Sequence, residues 1–213
     1  MSPVQEKKMA KRLDSSWVRE QFPSLRQMVN GHQAIFFDGP AGTQVSQQVI
    51  GAISNYLLHS NANNCGAFAT SKRTDEVIAA ARQATADLLN CAPNEIVFGP
   101  NMTTLTFAFS RAIARDLKPG DEIVITLLDH DANFSPWKAL EEQGIVIRAV
   151  NFDVTDCTLN MSDLRAKINS RTRLVAVGYA ANAVGTINDV HEVVHLAHAS
   201  GALAYIDSVH YAP

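Results

Sequence analysis

From Asn94 onward, short runs rich in Val and Ile alternate with helical patterns, at the spacing typical of βα units. These runs are almost continuously apolar, which is typical of strands in a parallel sheet that is covered on both faces. The predicted strands are Glu95–Gly99, Glu122–Leu127, Val146–Phe152, Arg173–Tyr179 and Leu203–Asp207. The predicted helices between them are Thr104–Asp116, Pro136–Gln143, Ser162–Ile168 and Asp189–Ser200. The pattern therefore predicts an α/β fold with a mostly parallel sheet, helices on both faces and right-handed crossovers.

The sequence before Asn94 is mostly helical in pattern. Helices are predicted over Ser46–Leu58 and Ser71–Leu89, the second with Ser71 as its N-cap, and a short strand is predicted over Ala34–Asp38. Met1–Arg12 is predicted to be a frayed polar arm. We expect residues 1–33 to form an N-terminal arm and helix, and 34–213 to form the main domain.

The composition of the chain limits the kinds of molecule and the compartment that we expect for it. Lys plus Arg number 18 and Asp plus Glu 21, for a net charge of −3, so nucleic acid is not an expected partner. No segment approaches the roughly 20 apolar residues of a membrane span. The three cysteines are odd in number and far apart, which indicates a reducing cytoplasm and partly or fully buried thiols.

Polar residues follow four of the predicted strands, and ligands of open α/β sheets bind at that edge. Asn101–Thr104 follow the first strand, Asp129–Asn133 the second, Asn182 and Gly185 the fourth, and Asp207–His210 the fifth. The four groups together predict a binding site at one rim of the sheet. Any one of them alone is better explained as an ordinary loop.

The residue types in these groups suggest pyridoxal 5′-phosphate (PLP). A threonine-rich turn that leads into a helix can bind phosphate, although a simple threonine N-cap is the better explanation of this turn taken alone. Asp207 ends a buried strand, where a carboxylate can keep a pyridinium nitrogen protonated. His130 could stack on a flat ring or move a proton.

Motifs in the same order resemble the class V aminotransferase and cysteine desulfurase group of fold-type I PLP enzymes. They are FDGPAGT at 37–43, EIVF at 95–98 with NMTT at 101–104, GDEIV at 120–124, DHDAN at 129–133 with PW at 136–137, LVAV at 174–177 with NAVGT at 182–186, LAH at 196–198, and DSVHYAP at 207–213. The resemblance runs from about Phe36 to Pro213. It implies a PLP enzyme that acts on an amino acid, and a homodimer in the full-length form.

The resemblance also assigns roles to residues. It implies that Met102 and Thr103, with Thr104 adjacent, bind the cofactor phosphate and that His130 stacks on the pyridine ring as the catalytic histidine. It further implies three contacts to the ring, by Asn182, Asp207 and His210. His210 stands where desulfurases of the group usually have Gln, and Asp131 replaces a second His, so the substrate stays open.

The family's Schiff-base lysine is expected about two dozen residues beyond Asp207, whereas this sequence has six residues after it. We therefore expect an incomplete large domain without that lysine and without the C-terminal small domain. The family's seven strands lie in the order 3-2-4-5-6-7-1, and the five predicted strands would be its first five. We expect such a chain to be aggregation-prone on its own.

Three alternatives stay open at this point. His191, Glu192 and His195 match the HExxH pattern of zinc hydrolases, on a predicted helix. Asp129, His130, Asp131 and Asp207 could instead form a metal hydrolase site. The chain could also be an inactive remnant, or one subunit of a split enzyme.

Overall fold

The computed structural model describes residues 13–212, which form two compact units that divide between Pro93 and Asn94. The arm predicted at Met1–Arg12 lies outside the described residues, and the predicted division into 1–33 and 34–213 stays a prediction. Among residues 13–212, no helix combines the length and the apolar character needed to cross a bilayer.

The first unit is helical, with one small hairpin. Its elements are helix α1 (Ser15–Glu20), strands β1 (Met28–Val29) and β2 (His32–Gln33), helix α2 (Gln47–His59) and helix α3 (Ala69–Leu89). The two strands pair in antiparallel fashion. Both long helices predicted in this region are thereby confirmed, with ends that differ by one or two residues.

Two local predictions in this unit are wrong. Helix α3 begins at Ala69 rather than at Ser71, because the buried Ser71 hydroxyl accepts a hydrogen bond of 2.6 Å from the N–H of Gly66 instead of capping the helix. Residues 34–38 form no strand, although four of the five are apolar. Phe37, which a strand would have to cover, is 94% exposed.

The second unit contains the predicted α/β sheet. Its strands are β3 (Glu122–Thr126), β4 (Val146–Val150), β5 (Thr172–Gly178) and β6 (Leu203–Asp207). Its helices are α4 (Met102–Ile113), α5 (Ser135–Lys138), α6 (Met161–Lys167) and α7 (Val190–Ala199), with short 3₁₀ helices at Asp131–Asn133 and Ala139–Gln143. The four strands are confirmed to within two residues at either end.

The four strands lie side by side in the order β4-β3-β5-β6, and every neighbouring pair is parallel. In the numbering of the resembled family this order is 3-2-4-5, as predicted. Ile123 and Ile125 pack on one face with Trp137, whereas Val124 and Val175 pack on the other face. The second cluster includes residues of α6 and α7, so the sheet is covered on both faces.

The strand predicted at Glu95–Gly99 does not form. Residues 93–95 are a 3₁₀ helix and 96–99 are irregular, with Ile96 buried but Val97 72% exposed. A strand exists only where a neighbour completes its hydrogen bonds, and no strand of residues 13–212 pairs with this segment. The segment therefore has the composition of a strand but not the structure of one, and the predicted strand is wrong.

The cysteine prediction is only partly confirmed. Cys157 is half-buried, whereas Cys65 and Cys91 are exposed. All three thiols are free.

The start of β3 is fixed by a buried carboxylate. Glu122 is fully buried, and it accepts two hydrogen bonds from Arg148, at 3.0 and 3.1 Å, and one of 2.9 Å from the side-chain amide of Asn169. A guanidinium nitrogen of Arg171 lies 2.8 Å from Oε1 of Glu122. The hydrogen bonds from Arg148 hold the pKa of Glu122 at about 2, against an ordinary value of 4.5. The carboxylate thus joins β3 to β4 and to the loop before β5.

Glu122→Gln is expected to lower the free energy of unfolding at pH 7 by about 1.5–3 kcal/mol, the scale of a hydrogen bond to a charged group. The loss is moderate because the two arginines stay partly solvated. Since the folded pKa is lowered, the stabilisation is complete above pH 4.5 and is lost as pH falls toward 2. Urea titrations at pH 7 and pH 3 measure this, with exposed Glu142→Gln as the control. A pH-independent difference between wild type and Glu122→Gln would contradict it.

Strand β6 lies at an edge of the sheet that residues 13–212 form, and its first residue, Leu203, is 57% exposed. An apolar edge invites pairing with other chains, and a lysine on an edge opposes it. We therefore expect the 213-residue chain to self-associate, and Leu203→Lys to reduce the association constant severalfold in sedimentation equilibrium. Val154→Lys, at an exposed apolar residue outside the strands, is the matched control. A wild-type chain that stays monomeric, or an equal effect of both variants, would count against β6 as the pairing edge.

Candidate functional site

The residues that follow the strands of the second unit lie at the carboxyl-terminal rim of the sheet. Asp129 and His130 follow β3, Asn182 follows β5, and Asp207 is the last residue of β6 with His210 three residues later. Because the strands are parallel and adjacent, their ends share one edge. His130 and His210 are exposed, whereas Asn182 and Asp207 are half-buried.

Helix α4 brings the threonine-rich turn toward the same region. Asn101 caps it, accepting a 2.8 Å hydrogen bond from the N–H of Thr104. One turn on, the hydroxyls of Thr106 and Tyr205 share a hydrogen bond of 2.8 Å, which joins α4 to β6. The N–H groups of Met102 and Thr103 lie in the first turn, where amides have no intrahelical acceptor, and they are suited to an anion.

Asp129 occupies the centre of this rim. Its Oδ1 accepts a short hydrogen bond from the N–H of Gly178 at the end of β5, and its Oδ2 accepts one of 3.0 Å from the side-chain amide of Asn133. Asn133 is fully buried and its Oδ1 accepts a 3.0 Å hydrogen bond from the indole of Trp137. The carboxyl therefore ties the loop after β3 to the neighbouring strand.

The partners of Asp129 are neutral, in contrast to those of Glu122. Burial raises the pKa of Asp129 to about 7, the hydrogen bond from Gly178 opposes that rise, and the negative charge of Asp207 adds to it. The buried Thr126 hydroxyl lies beside this carboxyl but forms no well-aligned hydrogen bond within residues 13–212. The carboxyl of Asp129 therefore changes its protonation state near neutral pH.

The ring of His130 is held by its own loop. Its Nδ1 accepts a 3.1 Å hydrogen bond from the N–H of Ala132, and its carbonyl accepts one of 2.8 Å from the N–H of Asn133. A neutral imidazole that accepts at Nδ1 carries its proton on Nε2. The exposed side of the ring therefore offers an N–H donor.

Asp207 keeps part of its carboxylate available. Oδ1 accepts a 3.0 Å hydrogen bond from the N–H of Val209, and Oδ2 accepts none from the described part of the chain. The backbone carbonyl of Asp207 accepts from the N–H of Tyr179, which keeps the ends of β5 and β6 in register. The carboxylate can thus accept one further hydrogen bond at the rim.

The metal-site alternatives find no support in the described residues. Glu192 of the HExxH pattern forms an ion pair with Arg165, while His191 and His195 are exposed on α7. Asp131 accepts a 2.6 Å hydrogen bond from the Ser135 hydroxyl. Within residues 13–212, no three His, Cys, Asp or Glu side chains gather into a group that could hold a metal ion.

Sequence reasoning did not find the bridge between Asp129, Asn133 and Gly178. The sequence places Asp129 and Asn133 at the rim, but Gly178, which donates to Asp129, is 49 positions away from it in the chain. Two features of the sequence point to this bridge. A carboxylate and an amide stand four residues apart after one strand, and a glycine ends another strand.

The raised pKa of Asp129 predicts a pH-dependent stability. Its folded pKa of about 7 lies above the ordinary 3.8, so the folded chain holds a proton that the unfolded chain releases, and stability falls as pH rises from about 4 to 7. The effect is on the order of 4 kcal/mol at most. Asp129→Asn removes it, so the variant should gain stability relative to wild type between pH 4 and pH 8 in urea titrations. A difference that stays constant over this range would contradict the shift.

Comparison with known proteins agrees with this geometry. The family described as aminotransferase class-V matches residues 35–213. A cysteine desulfurase of Synechococcus elongatus is 35% identical over 198 residues, which are 91% of this chain and 32% of that protein. The apo structure of a cysteine desulfurase from Thermococcus onnurineus is 27% identical with a TM-score of 0.82, over 93% of this chain and 48% of that one.

A third similar structure shows the shared fold alone, at 21% identity and a TM-score of 0.74, over 91% of this chain and 50% of that one. It is a mutant protein with glycine covalently linked to its PLP cofactor. The chain spans between 29% and 49% of the length of the curated relatives that it matches. The family model matches most of the chain, and the order of the strands is the one expected for this fold. The chain therefore belongs to the class-V aminotransferase family, which includes the cysteine desulfurases.

Proposed function

We propose that this chain is the PLP-binding part of a cysteine desulfurase-like enzyme that acts on an amino acid. The observation that carries the proposal is the shared position of His130, Asn182, Asp207 and His210 at one rim of a parallel sheet, beside the start of α4. Family membership supports the cofactor, and the names of the relatives support an amino-acid substrate. A homodimer and a cytoplasmic location belong to the same proposal.

The donors and acceptors at the rim fit PLP. The first-turn amides of Met102 and Thr103, with the hydroxyls of Thr103 and Thr104, would bind the phosphate. The available Oδ2 of Asp207 would accept a hydrogen bond from the protonated ring nitrogen. The amide of Asn182 would donate to the ring hydroxyl, with His210 beside it.

Each residue has a distinct chemical task in this proposal. Bound PLP supplies an electron sink for the bonds at the α-carbon of an amino acid. The charge of Asp207 favours the protonated ring on which that property depends. His130 covers one face of the ring and offers its Nε2 proton, because its Nδ1 is already an acceptor for Ala132.

PLP binding to the 213-residue chain tests the proposal. Equilibrium dialysis should give a measurable dissociation constant for wild type, and Asp207→Asn should raise it tenfold or more by removing the charge that favours the protonated ring. Asp116→Asn, at an exposed residue beyond the end of α4, should leave it unchanged. A wild-type chain that does not bind PLP, or an Asp207→Asn variant that binds equally well, would refute the proposal.

Turnover separates the proposed enzyme from its alternatives. Alanine formation from cysteine, measured with a reductant present, would establish the desulfurase reaction. PLP binding without turnover would favour an inactive remnant or one subunit of a split enzyme. In the split case, activity would appear when a second polypeptide that carries the family's Schiff-base lysine is added.

A further inference from the structure

Asp129 is placed to act on the site although it is not among the residues assigned to contact the cofactor. Its two carboxyl oxygens accept from different elements, Oδ1 from the backbone of Gly178 in β5 and Oδ2 from the side chain of Asn133 in the loop after β3. The bridge spans the two central strands of the sheet at the rim where the site is proposed.

The missing side chain of Gly178 leaves the space in which the carboxyl of Asp129 lies. A Cβ added to Gly178 would lie 2.5 Å from Oδ1 of Asp129, so the carboxylate occupies the space that any other side chain would need. The carbonyl of Gly178 accepts a 2.8 Å hydrogen bond from the buried Asn188 amide. Gly178 has no positive φ, so the contact with Asp129, and not the backbone conformation, disfavours a side chain there.

The other end of the bridge reaches His130. Asn133, held by Asp129 and by the indole of Trp137, donates its backbone N–H to the carbonyl of His130 at 2.8 Å. The intervening Ala132 donates its N–H to Nδ1 of the His130 ring. The position of the ring and the nitrogen that carries its proton therefore both depend on a loop that Asp129 fastens to β5.

We propose that Asp129 is a positioning residue, which fixes the His130 ring and its Nε2–H tautomer at the PLP site by bridging Gly178 and Asn133. The inference rests on the proposed function for the identity of the ligand. It does not rest on that function for the effect on His130, which is a property of the chain itself.

The first test needs no cofactor. The ¹⁵N shifts of the His130 ring, assigned by comparison with His130→Gln and recorded at pH 8, should show the Nε2–H tautomer in wild type. Asp129→Asn keeps the size of the side chain but replaces one acceptor oxygen with a donor, and Gly178→Ala displaces the carboxyl. Both variants should shift His130 toward a mixture of tautomers.

Asp131→Asn is the matched control, because Asp131 lies in the same loop but is exposed and accepts from Ser135. It should keep the wild-type tautomer. If Asp129→Asn and Gly178→Ala also keep it, even with a lowered unfolding temperature, the role of Asp129 is structural only and the proposal is overturned. Asp129→Asn, which adds no volume, decides the question if Gly178→Ala does not fold.

The second test measures PLP affinity by equilibrium dialysis. Asp129→Asn is expected to raise the dissociation constant tenfold or more, with Asp131→Asn unchanged, and equal affinities of all three chains would overturn the role at the cofactor site. Asp207→Asn reports on the proposed function separately. If wild type binds no PLP, the proposed function fails, and the tautomer measurement alone decides whether Asp129 positions His130.

Discussion

The pairing of β3 with β5 is the interaction on which the second unit depends, and a carboxyl secures it at each end. At the start, Glu122 is surrounded by Arg148, Arg171 and Asn169, and cationic partners hold its pKa near 2. At the rim, Asp129 has only neutral partners, and burial raises its pKa to about 7. The two carboxyls thus have opposite consequences. Glu122 is a charged group that holds the start of the two strands together. Asp129 holds their ends together and can release or take up a proton in the pH range where enzymes work.

The covering of both sheet faces explains why the site lies at the rim. The side chains of β3 and β5 alternate between two apolar clusters, one that includes Ile123 and Leu174 and one that includes Val124 and Val175. Both faces are thus occupied by apolar side chains, and the polar groups lie where the strands end. The parallel direction of all four strands then places every carboxyl-terminal loop at one edge, which concentrates amides, imidazoles and carboxylates there.

Much of this unit could be predicted from the sequence, because its strands are almost continuously apolar and its helices carry local signals such as Asp189, the N-cap of α7. The order of the strands came from the family resemblance, since periodicity gives no information about neighbours. Residues 95–99 and 34–38 have the composition of strands but not the structure, because a strand needs a partner that no local pattern reveals. For the same reason the predicted site residues could be named one by one, whereas the contact of Asp129 with Gly178 could not.

The neutral surroundings of Asp129 favour its protonated form, which has a consequence for the neighbouring Asp207. Asp207 and Asp129 repel each other when both are ionised, and this repulsion adds to the rise in the pKa of Asp129. When Asp129 holds its proton, its O–H lies beside the buried Thr126 hydroxyl, whose oxygen can accept a hydrogen bond. A protonated Asp129 places no like charge beside Asp207, the carboxylate proposed to face a cationic ring nitrogen. A protonated Asp129 can therefore hold the loop of His130 in place without competing with Asp207 for that cation.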